Sequence, residues 1–382
     1  MMTKRAIWTI LAAGSLIGAA LLVNRSHGRG DPLAPRQPEN LSADGTILLR
    51  GKPFFPIGLY QVRHTAEEYA LLAANGFNAI QGHFTTDTGQ FIATLDLAQR
   101  HHLAVAVPLH AQNLIQENLA RSLDKIRAAK HHPAVLSWKI CDEPDSNAYA
   151  HLRPEVPTAY RAIKALNPPQ PVELTLCKDP TLADWTPLCE LVEIDRYPVP
   201  DRPLTDVLDF CQRTRKVMLP WQNLTCVVQC GWTRDLKTQP TFHQARAMVY
   251  LALIGGAKGI FWYSRQEKDG WDLTATPLWP RMKEINAEIA SLADPILLGK
   301  DAPGIRCNTP GVRFIAKRHS GRLYLLATNP TDAPADAVFT LPAALQPRSA
   351  KLAGTDRSLV PNGASIHLPL GEVDSATVIF DF

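Results

Sequence analysis

Two adjacent carboxylates end the most strand-like segment of this 382-residue chain. The apolar run of residues 135–141 leads directly into Asp142, Glu143 and Pro144. A buried strand gains nothing from two acids at its tip, whereas a parallel β/α barrel places its reactive groups at the C-terminal ends of its strands. Carboxyl groups there are suited to proton transfer and nucleophilic attack. The competing interpretation is a helix N-terminus, where acids complement the dipole and proline occupies the first turn.

Eight short apolar segments between residues 48 and 297 alternate with helical patterns. Among the helical signals, Thr65 and Glu68 have the spacing of a capping box, and Gly76 can close the helix that they begin. This alternation predicts an α/β protein with a parallel sheet, and a span of about 250 residues fits a (β/α)8 TIM barrel. The predicted strands are residues 54–62, 77–84, 103–110, 135–141, 171–177, 191–199, 226–232 and 259–264.

The pattern changes after Pro295, where short alternating segments carry no helix signal. The predicted strands there are residues 311–319, 322–329, 337–341, 365–370 and 376–382, and Ser320-Gly321 supplies a hairpin turn between the first two. We therefore expect a small C-terminal all-β sandwich over residues 304–382.

The first 30 residues have the pattern of a targeting segment. Lys4-Arg5 precedes an apolar stretch at residues 6–23, and polar residues follow it. The stretch is long enough for a signal peptide or for an uncleaved anchor that spans a bilayer. We expect an exported protein that is periplasmic, secreted or held at the membrane by residues 6–23, with residues 31–47 as a Pro-rich linker before the barrel.

Charge and cysteine usage exclude several classes of partner. The formal net charge is +4, but the basic residues form no long run, so we expect no nucleic acid. The seven cysteines contain no C-x-x-C pair, and no His, Asp or Glu cluster has the spacing of metal ligands. We expect no metal and no cofactor. In an exported protein some cysteines could form disulfides, and the odd number leaves at least one unpaired.

Several motifs, taken in order, resemble those of the β-galactosidase-like (β/α)8-barrel glycoside hydrolase superfamily. The opening unit and second strand match at residues 54–60 and 73–80, and residues 132–138 lead into Asp142-Glu143-Pro144 as on the fourth strand. Residues 195–198 (Asp-Arg-Tyr-Pro) resemble the sixth strand, and residues 256–264 resemble the eighth. The chain resembles a divergent member of this superfamily. This resemblance implies cleavage of a glycosidic bond in an oligo- or polysaccharide, with Glu143 as general acid/base.

The chain departs from the family pattern on the seventh strand, where Gln229 stands at the position of the usual nucleophilic Glu. An amide cannot attack an anomeric carbon, so three hypotheses remain open. Asp195 supplies the second carboxylate, as a nucleophile or as the base of an inverting enzyme. Alternatively, Asp142 and Glu143 act as in substrate-assisted N-acetylhexosaminidases, with Tyr197 binding the acetamido group. In the third, the barrel binds carbohydrate without catalysis; a membrane-anchored scaffold without sugar affinity is a weaker possibility.

Sugar recognition requires flat apolar faces beside polar groups. Trp232 and Trp262 are the predicted stacking platforms, because both lie at or near strand ends. His83 and His110 end the second and third strands and are candidates for contacts with sugar hydroxyls. Tyr60 and Gln229 complete the predicted substrate-binding residues at the barrel mouth. For each aromatic residue the competing interpretation is core packing.

Overall fold

A computed structural model describes residues 36–83, 85, 87–109, 115–231, 238–266 and 270–382. Its main feature is a closed barrel of eight parallel strands, which confirms the predicted (β/α)8 fold. A short hairpin, β1 (Ile47–Leu49) and β2 (Lys52–Phe54), precedes the barrel. The barrel strands are β3 (Ile57–Leu59), β4 (Ala79–Gln81), β5 (Ala104–Pro108), β6 (Val135–Asp142), β7 (Val172–Leu176), β8 (Leu191–Arg196), β9 (Asn223–Gln229) and β10 (Ile260–Tyr263).

Each barrel strand lies within or overlaps one of the eight predicted apolar segments. Their order around the barrel follows the chain, and β10 closes it by pairing in parallel with β3. The structure therefore places the C-terminal ends of all eight strands at one face, which we call the mouth. The fourth, sixth and seventh barrel strands are β6, β8 and β9.

Helices surround the barrel, and their caps follow the sequence signals only in part. Thr65 accepts a hydrogen bond from the Glu68 backbone, but the Glu68 carboxylate is committed to Arg265 Nε at 2.6 Å. No helix of the described residues is long and apolar enough to cross a membrane. The helices are α1 (Ala66–Ala74), α2 (Thr88–Arg100), α3 (Ile115–Ala129), α4 (Glu155–Ala165), α5 (Leu182–Trp185), α6 (Asp206–Val217), α7 (Phe242–Ile254) and α8 (Trp279–Leu298).

Alternation along the strands separates the barrel interior from the helix layer. On β6, Trp138 and Ile140 belong to the outer apolar core, whereas Lys139 between them points inward to buried carboxylates. Toward the N-terminal end of the barrel, apolar side chains close the interior. Gly58 is required there because a Cβ would come within 2.3 Å of the Phe261 ring. The interior therefore has an apolar base and a polar upper part.

The C-terminal region is a β-sandwich of two antiparallel sheets with its own apolar core, as predicted. Ser320 and Gly321 both have positive φ, at 49° and 77°, and so form the predicted hairpin turn. One sheet has the order β11-β13-β14-β19-β16-β17 and the other β12-β15-β18. These strands are β11 (Lys300–Asp301), β12 (Arg306–Cys307), β13 (Arg313–His319), β14 (Arg322–Asn329), β15 (Ala335–Thr340), β16 (Ser349–Leu352), β17 (Ser358–Leu359), β18 (Ser365–Leu370) and β19 (Asp374–Asp381).

A polar cluster joins the sandwich to the barrel helices. Arg246 on α7 binds Glu288 on α8, with 2.6 Å between Nε and Oε2, and donates to the Ser375 carbonyl of β19 at 2.5 Å. The Tyr250 hydroxyl contacts both Glu288 and Thr377, at 2.5 Å and 2.9 Å. Since only about a fifth of the Arg246 and Glu288 side chains is exposed, each charge depends on the other for solvation.

Replacing Arg246 with alanine is therefore expected to leave the Glu288 charge uncompensated at this junction. We expect the free energy of unfolding, measured by urea denaturation, to fall by about 3 kcal/mol. Arg127→Ala is the matched control, because Arg127 pairs with Asp124 on an exposed face, and its loss should cost about 0.5 kcal/mol or less. Equal losses in the two variants would contradict the role assigned to Arg246.

Candidate active site

Three reactive side chains from three strands converge at the barrel mouth. Glu143 follows β6, Cys177 follows β7 and Asp195 lies on β8, and one ligand atom from each lies within 4.8 Å of the others. We call these three residues the mouth cluster. Because Cys177 and Asp195 continue the inward-facing register of their strands, the alternating pattern directs both toward the barrel axis.

Glu143 reaches the cluster through an unusual backbone conformation. Its φ is 50°, in the left-handed region that non-glycine residues rarely occupy. Just before it, the pairing of β6 with β7 shifts register between Lys139 and Cys141. A bulge and a left-handed residue together redirect a strand end, and such strain is typical of functional sites. The Glu143 backbone N–H is held by the Thr175 carbonyl at 3.0 Å, which fixes the redirected conformation.

Asp145 ties the loop after β6 to the end of β7. Its carboxylate accepts hydrogen bonds from the backbone N–H groups of Cys177 and Lys178, at 2.9 Å and 2.7 Å. It also accepts a weak hydrogen bond from the Cys177 thiol, with 3.5 Å between Sγ and Oδ1. Asp145 is only 2% exposed, so it acts as a fixed support that positions Cys177 beside Glu143.

Asp195 is a buried carboxyl group that lies beside a second carboxyl group, Glu143. Burial raises the pKa of Asp195 well above its ordinary value, and the charge of Glu143 and a hydrogen bond with Glu143 raise it further. Among the described residues, no group hydrogen-bonds to its Oδ1 atom. A carboxyl that is 7% exposed beside a second carboxyl favours its protonated form. The Asp195–Glu143 pair therefore holds a proton on the buried side.

A buried ammonium group lies beneath the mouth cluster. Lys139 Nζ is 3.0 Å from Glu193, 3.1 Å from Asp142 and 3.6 Å from Glu173, and it also contacts the Tyr60 hydroxyl. Burial alone would lower the pKa of Lys139, but the surrounding carboxylates, Asp142 first, raise it overall. One cation cannot neutralise three anions. Burial, followed by the charge of Glu193, accordingly raises the pKa of Glu173 to about 8.

The predicted substrate-binding residues lie in different environments. Tyr197 and Tyr60 lie in the barrel interior near the cluster, where Tyr197 stacks on Tyr263 with ring centroids 5.4 Å apart. The Tyr60 hydroxyl donates to Glu193 and so belongs to the polar network beneath the mouth. His83 is exposed beside His64, with 5.2 Å between ring centroids. His110 and Trp232 lie outside the described residues.

Two predictions of substrate contact do not fit the structure. Trp262 faces the helix layer, is fully buried, and donates its ring N–H to Asn286 of α8 at 3.1 Å, so it presents no face to a ligand. Gln229 is also fully buried, and its amide both accepts from the Val199 N–H and donates to the Val199 carbonyl, each at 3.0 Å. It holds the loop after β8 instead of contacting a sugar.

Two other aromatic residues, Tyr263 and Trp271, lie near strand ends where stacking platforms were expected. Tyr263 ends β10 inside the barrel, and Trp271 covers Gly231, where a Cβ would meet its ring at 2.5 Å. The sequence analysis missed Lys139, Glu173 and the convergence of Cys177 with the two carboxylates. The alternation of side chains along β7 could have identified Glu173 and Cys177 as inward-facing residues, because residues 173, 175 and 177 share one face of β7 and its extension.

Comparison with solved structures supports the fold at low identity, whereas no protein-family model and no curated protein matches the sequence. A family 27 β-L-arabinopyranosidase from Geobacillus stearothermophilus aligns with a TM-score of 0.60 at 12% identity, covering 89% of this chain and 97% of that one. A noncanonical maltogenic α-amylase from Thermotoga neapolitana gives 0.58 at 10%, covering 86% and 99%. A putative α-galactosidase from Bacteroides fragilis gives 0.59 at 12%, covering 88% and 80%.

These neighbours are glycoside hydrolases, and they extend over both the barrel and the region that follows it. At 10–12% identity the likeness shows the fold alone. None of the three is described as a β-galactosidase, so the narrower resemblance stays a prediction. The function of this chain depends on the residues at the mouth of its own barrel.

The raised pKa of Glu173 predicts that the free energy of unfolding depends on pH. Its folded-state pKa of about 8 exceeds the ordinary value of 4.5, so the folded protein binds more protons than the unfolded chain between these values. This contribution to stability is complete at pH values below the ordinary pKa of 4.5. It is lost as the pH rises through the folded-state pKa of about 8. Glu173→Gln should therefore flatten the decline of unfolding free energy over this range, measured by urea denaturation at several pH values.

Glu117→Gln is the matched control for that experiment, since Glu117 is exposed on α3. We expect this variant to keep the wild-type slope of unfolding free energy against pH. If Glu173→Gln also keeps that slope, the carboxyl of Glu173 is ionised at neutral pH and the charge assignment beneath the mouth is wrong.

Proposed function

We propose that this protein is a retaining glycoside hydrolase whose two catalytic carboxyl groups are Glu143 and Asp195. The observation that carries the proposal is their approach to within 4.8 Å at the mouth of the barrel. Retaining enzymes place two carboxyl groups about 5–5.5 Å apart, whereas inverting enzymes leave about 6.5–9.5 Å for a water molecule. Ligand atoms of the two groups that lie within 4.8 Å of each other do not leave the wider space of an inverting enzyme, which favours attack by the protein and a covalent glycosyl intermediate.

The burial of Asp195 favours one division of roles. The acid of a glycosidase must hold its proton until the leaving group departs, and the nucleophile must be ionised. Asp195 is buried and hydrogen-bonded to Glu143, whereas Glu143 is partly exposed. We assign Asp195 as acid/base and Glu143 as nucleophile. This reverses the assignment that the family resemblance implied, in which Glu143 was the acid/base.

The reaction then proceeds in two steps with balanced charges. In the first, a Glu143 oxygen attacks the anomeric carbon while the Asp195 proton passes to the departing glycosidic oxygen, and a glycosyl ester forms. In the second, Asp195 takes a proton from water, and the water oxygen displaces Glu143 from the anomeric carbon. Asp195 is protonated again and Glu143 is ionised again, so the site returns to its starting state.

The surroundings of the pair fit a pyranose or furanose ring. Tyr197 and Tyr263 form a stacked aromatic wall near the mouth cluster, and Trp271 covers Gly231 at the end of β9. Aromatic faces bind the C–H faces of sugars, while carboxylates bind their hydroxyl groups. The Asp142 carboxylate lies 3.1 Å from Lys139 Nζ and is 42% exposed, so its accessible surface can contact a sugar hydroxyl.

The same position of Asp142 supports one alternative. In a substrate-assisted N-acetylhexosaminidase, Glu143 would be the acid and Asp142 would orient the attacking acetamido group. That alternative requires no attack by the protein, and it therefore assigns Asp195 no covalent role. A carbohydrate-binding barrel without catalysis is the other alternative, and it predicts binding of sugars without turnover.

The first test measures hydrolysis of aryl glycosides, with and without a 2-acetamido group, by full-length protein and by Glu143→Gln. We expect turnover of plain glycosides by the wild type and a loss of about 10³-fold or more in the variant. Glu284→Gln is the matched control, since Glu284 is 54% exposed on α8, and it should keep wild-type turnover. Activity confined to 2-acetamido sugars would favour substrate assistance, and no turnover on any substrate would favour the binding protein.

A second test separates the two roles by azide rescue with an activated aryl glycoside. Without its nucleophile, Glu143→Ala should admit azide directly and give a glycosyl azide of inverted configuration. Asp195→Ala should still form the glycosyl ester, so azide attack should give the retained configuration. Product configuration is read by NMR. The opposite pair of outcomes would restore Glu143 as the acid/base.

A further inference from the structure

We infer that the mouth cluster is also a binding site for a thiophilic divalent cation of the zinc type. Its three side chains supply one thiolate and two carboxylates from three separate strands. Thiolate, imidazole and carboxylate are the groups that zinc binds in proteins. Nothing in the spacing along the sequence indicated this set, because residues 143, 177 and 195 meet only through the barrel topology.

The three ligand atoms are spaced almost as closely as the ligands of a bound zinc ion. Zinc lies about 2.3 Å from sulfur and about 2.1 Å from carboxylate oxygen, which separates tetrahedral ligand atoms by about 3.6 Å. The three ligand atoms here lie within 4.8 Å of one another. Side-chain rotations that shorten these separations by about 1 Å would complete three tetrahedral positions, with a fourth open to water.

An independent observation at Asp195 points to a ligand. Its side chain is 7% exposed on the inward face of β8, and its Oδ1 atom has no hydrogen-bond partner among the described residues. An unpaired buried acceptor is costly, and a cation at this position would satisfy it. Lys139, the nearby buried ammonium, is bound to Asp142 and Glu193 instead.

Binding of the cation requires a defined proton exchange. The Cys177 thiol now donates to Asp145, so its S–H bond breaks and its proton is released to solvent as the sulfur–metal bond forms. The proton held by the Asp195–Glu143 pair is released in the same way. Asp145 stays in place because it is anchored by two backbone N–H groups. No oxidant or other reactant is involved.

The cation would occupy both carboxylates that the proposed glycosidase needs, so it should compete with the sugar. This consequence rests on the proposed function, but binding of the cation does not. A metal-bound mouth would be an inhibited form of the enzyme, and removal of the metal by a chelator would restore activity.

Cobalt(II) is the probe for the test, because a cobalt–thiolate bond gives a charge-transfer band in the near ultraviolet. Full-length protein is stripped with a chelator, dialysed and titrated with Co²⁺. We expect the band to saturate at one equivalent, to vanish in Cys177→Ser, and to persist in Cys307→Ser. Cys307 is the matched control, since it is the other partly buried cysteine and lies in the sandwich.

Absence of the band in the wild type, or its persistence in Cys177→Ser, would overturn the inference. Should Cys177→Ser fail to fold by circular dichroism, Asp195→Asn provides a second measurement, with an expected rise of at least about tenfold in the dissociation constant for Co²⁺. An unchanged dissociation constant would count against the site. A cobalt band in a protein without hydrolytic activity would support the metal site and contradict the proposed hydrolase.

Discussion

The buried ammonium group of Lys139 is the charge on which the polar half of the barrel depends. It is 3% exposed and contacts carboxylates from β7, β8 and the end of its own strand. Breaking a buried ion pair by removing one partner costs about 3–5 kcal/mol, because the remaining charge is left without solvation. Lys139 therefore allows β6, β7 and β8 to carry acids in a buried interior, and the mouth cluster above it comes from the ends of the same three strands.

A single cation also sets a limit on the charge of the mouth. Lys139 is already shared by Glu193 and Asp142, so it cannot neutralise Asp195 as well. The remaining way to avoid a second buried anion is to retain a proton, and burial together with Glu143 raises the pKa of Asp195 accordingly. Protonation of the deeper acid, Asp195, therefore follows from its burial and from the commitment of Lys139 to other carboxylates. The acid of a glycosidase likewise has to hold a proton.

The barrel was predictable because hydrophobic alternation is a local property of the sequence. All eight barrel strands and the β-sandwich were located by their apolar segments, and the Ser320-Gly321 turn was identified by its residues. The candidate site was predictable where a strand end carried its own signal, as at Asp142, Glu143 and Asp195. Cys177 was missed, because it belongs to the cluster only through strand order and register. Trp262 was misjudged because position near a strand end does not determine which face a side chain occupies.

The amide at the end of β9 explains why the proposed second carboxylate lies on another strand. Gln229 both donates to and accepts from the Val199 backbone, which fixes the loop that follows Tyr197. A glutamate at this position would lose the donor and direct a negative charge at the Val199 carbonyl, which is unfavourable in a buried site. The glutamine is therefore required by the structure of this loop. Because β9 supports this loop, the proposed chemistry is assigned to β6 and β8, where the strained Glu143 backbone brings its carboxylate close to Asp195.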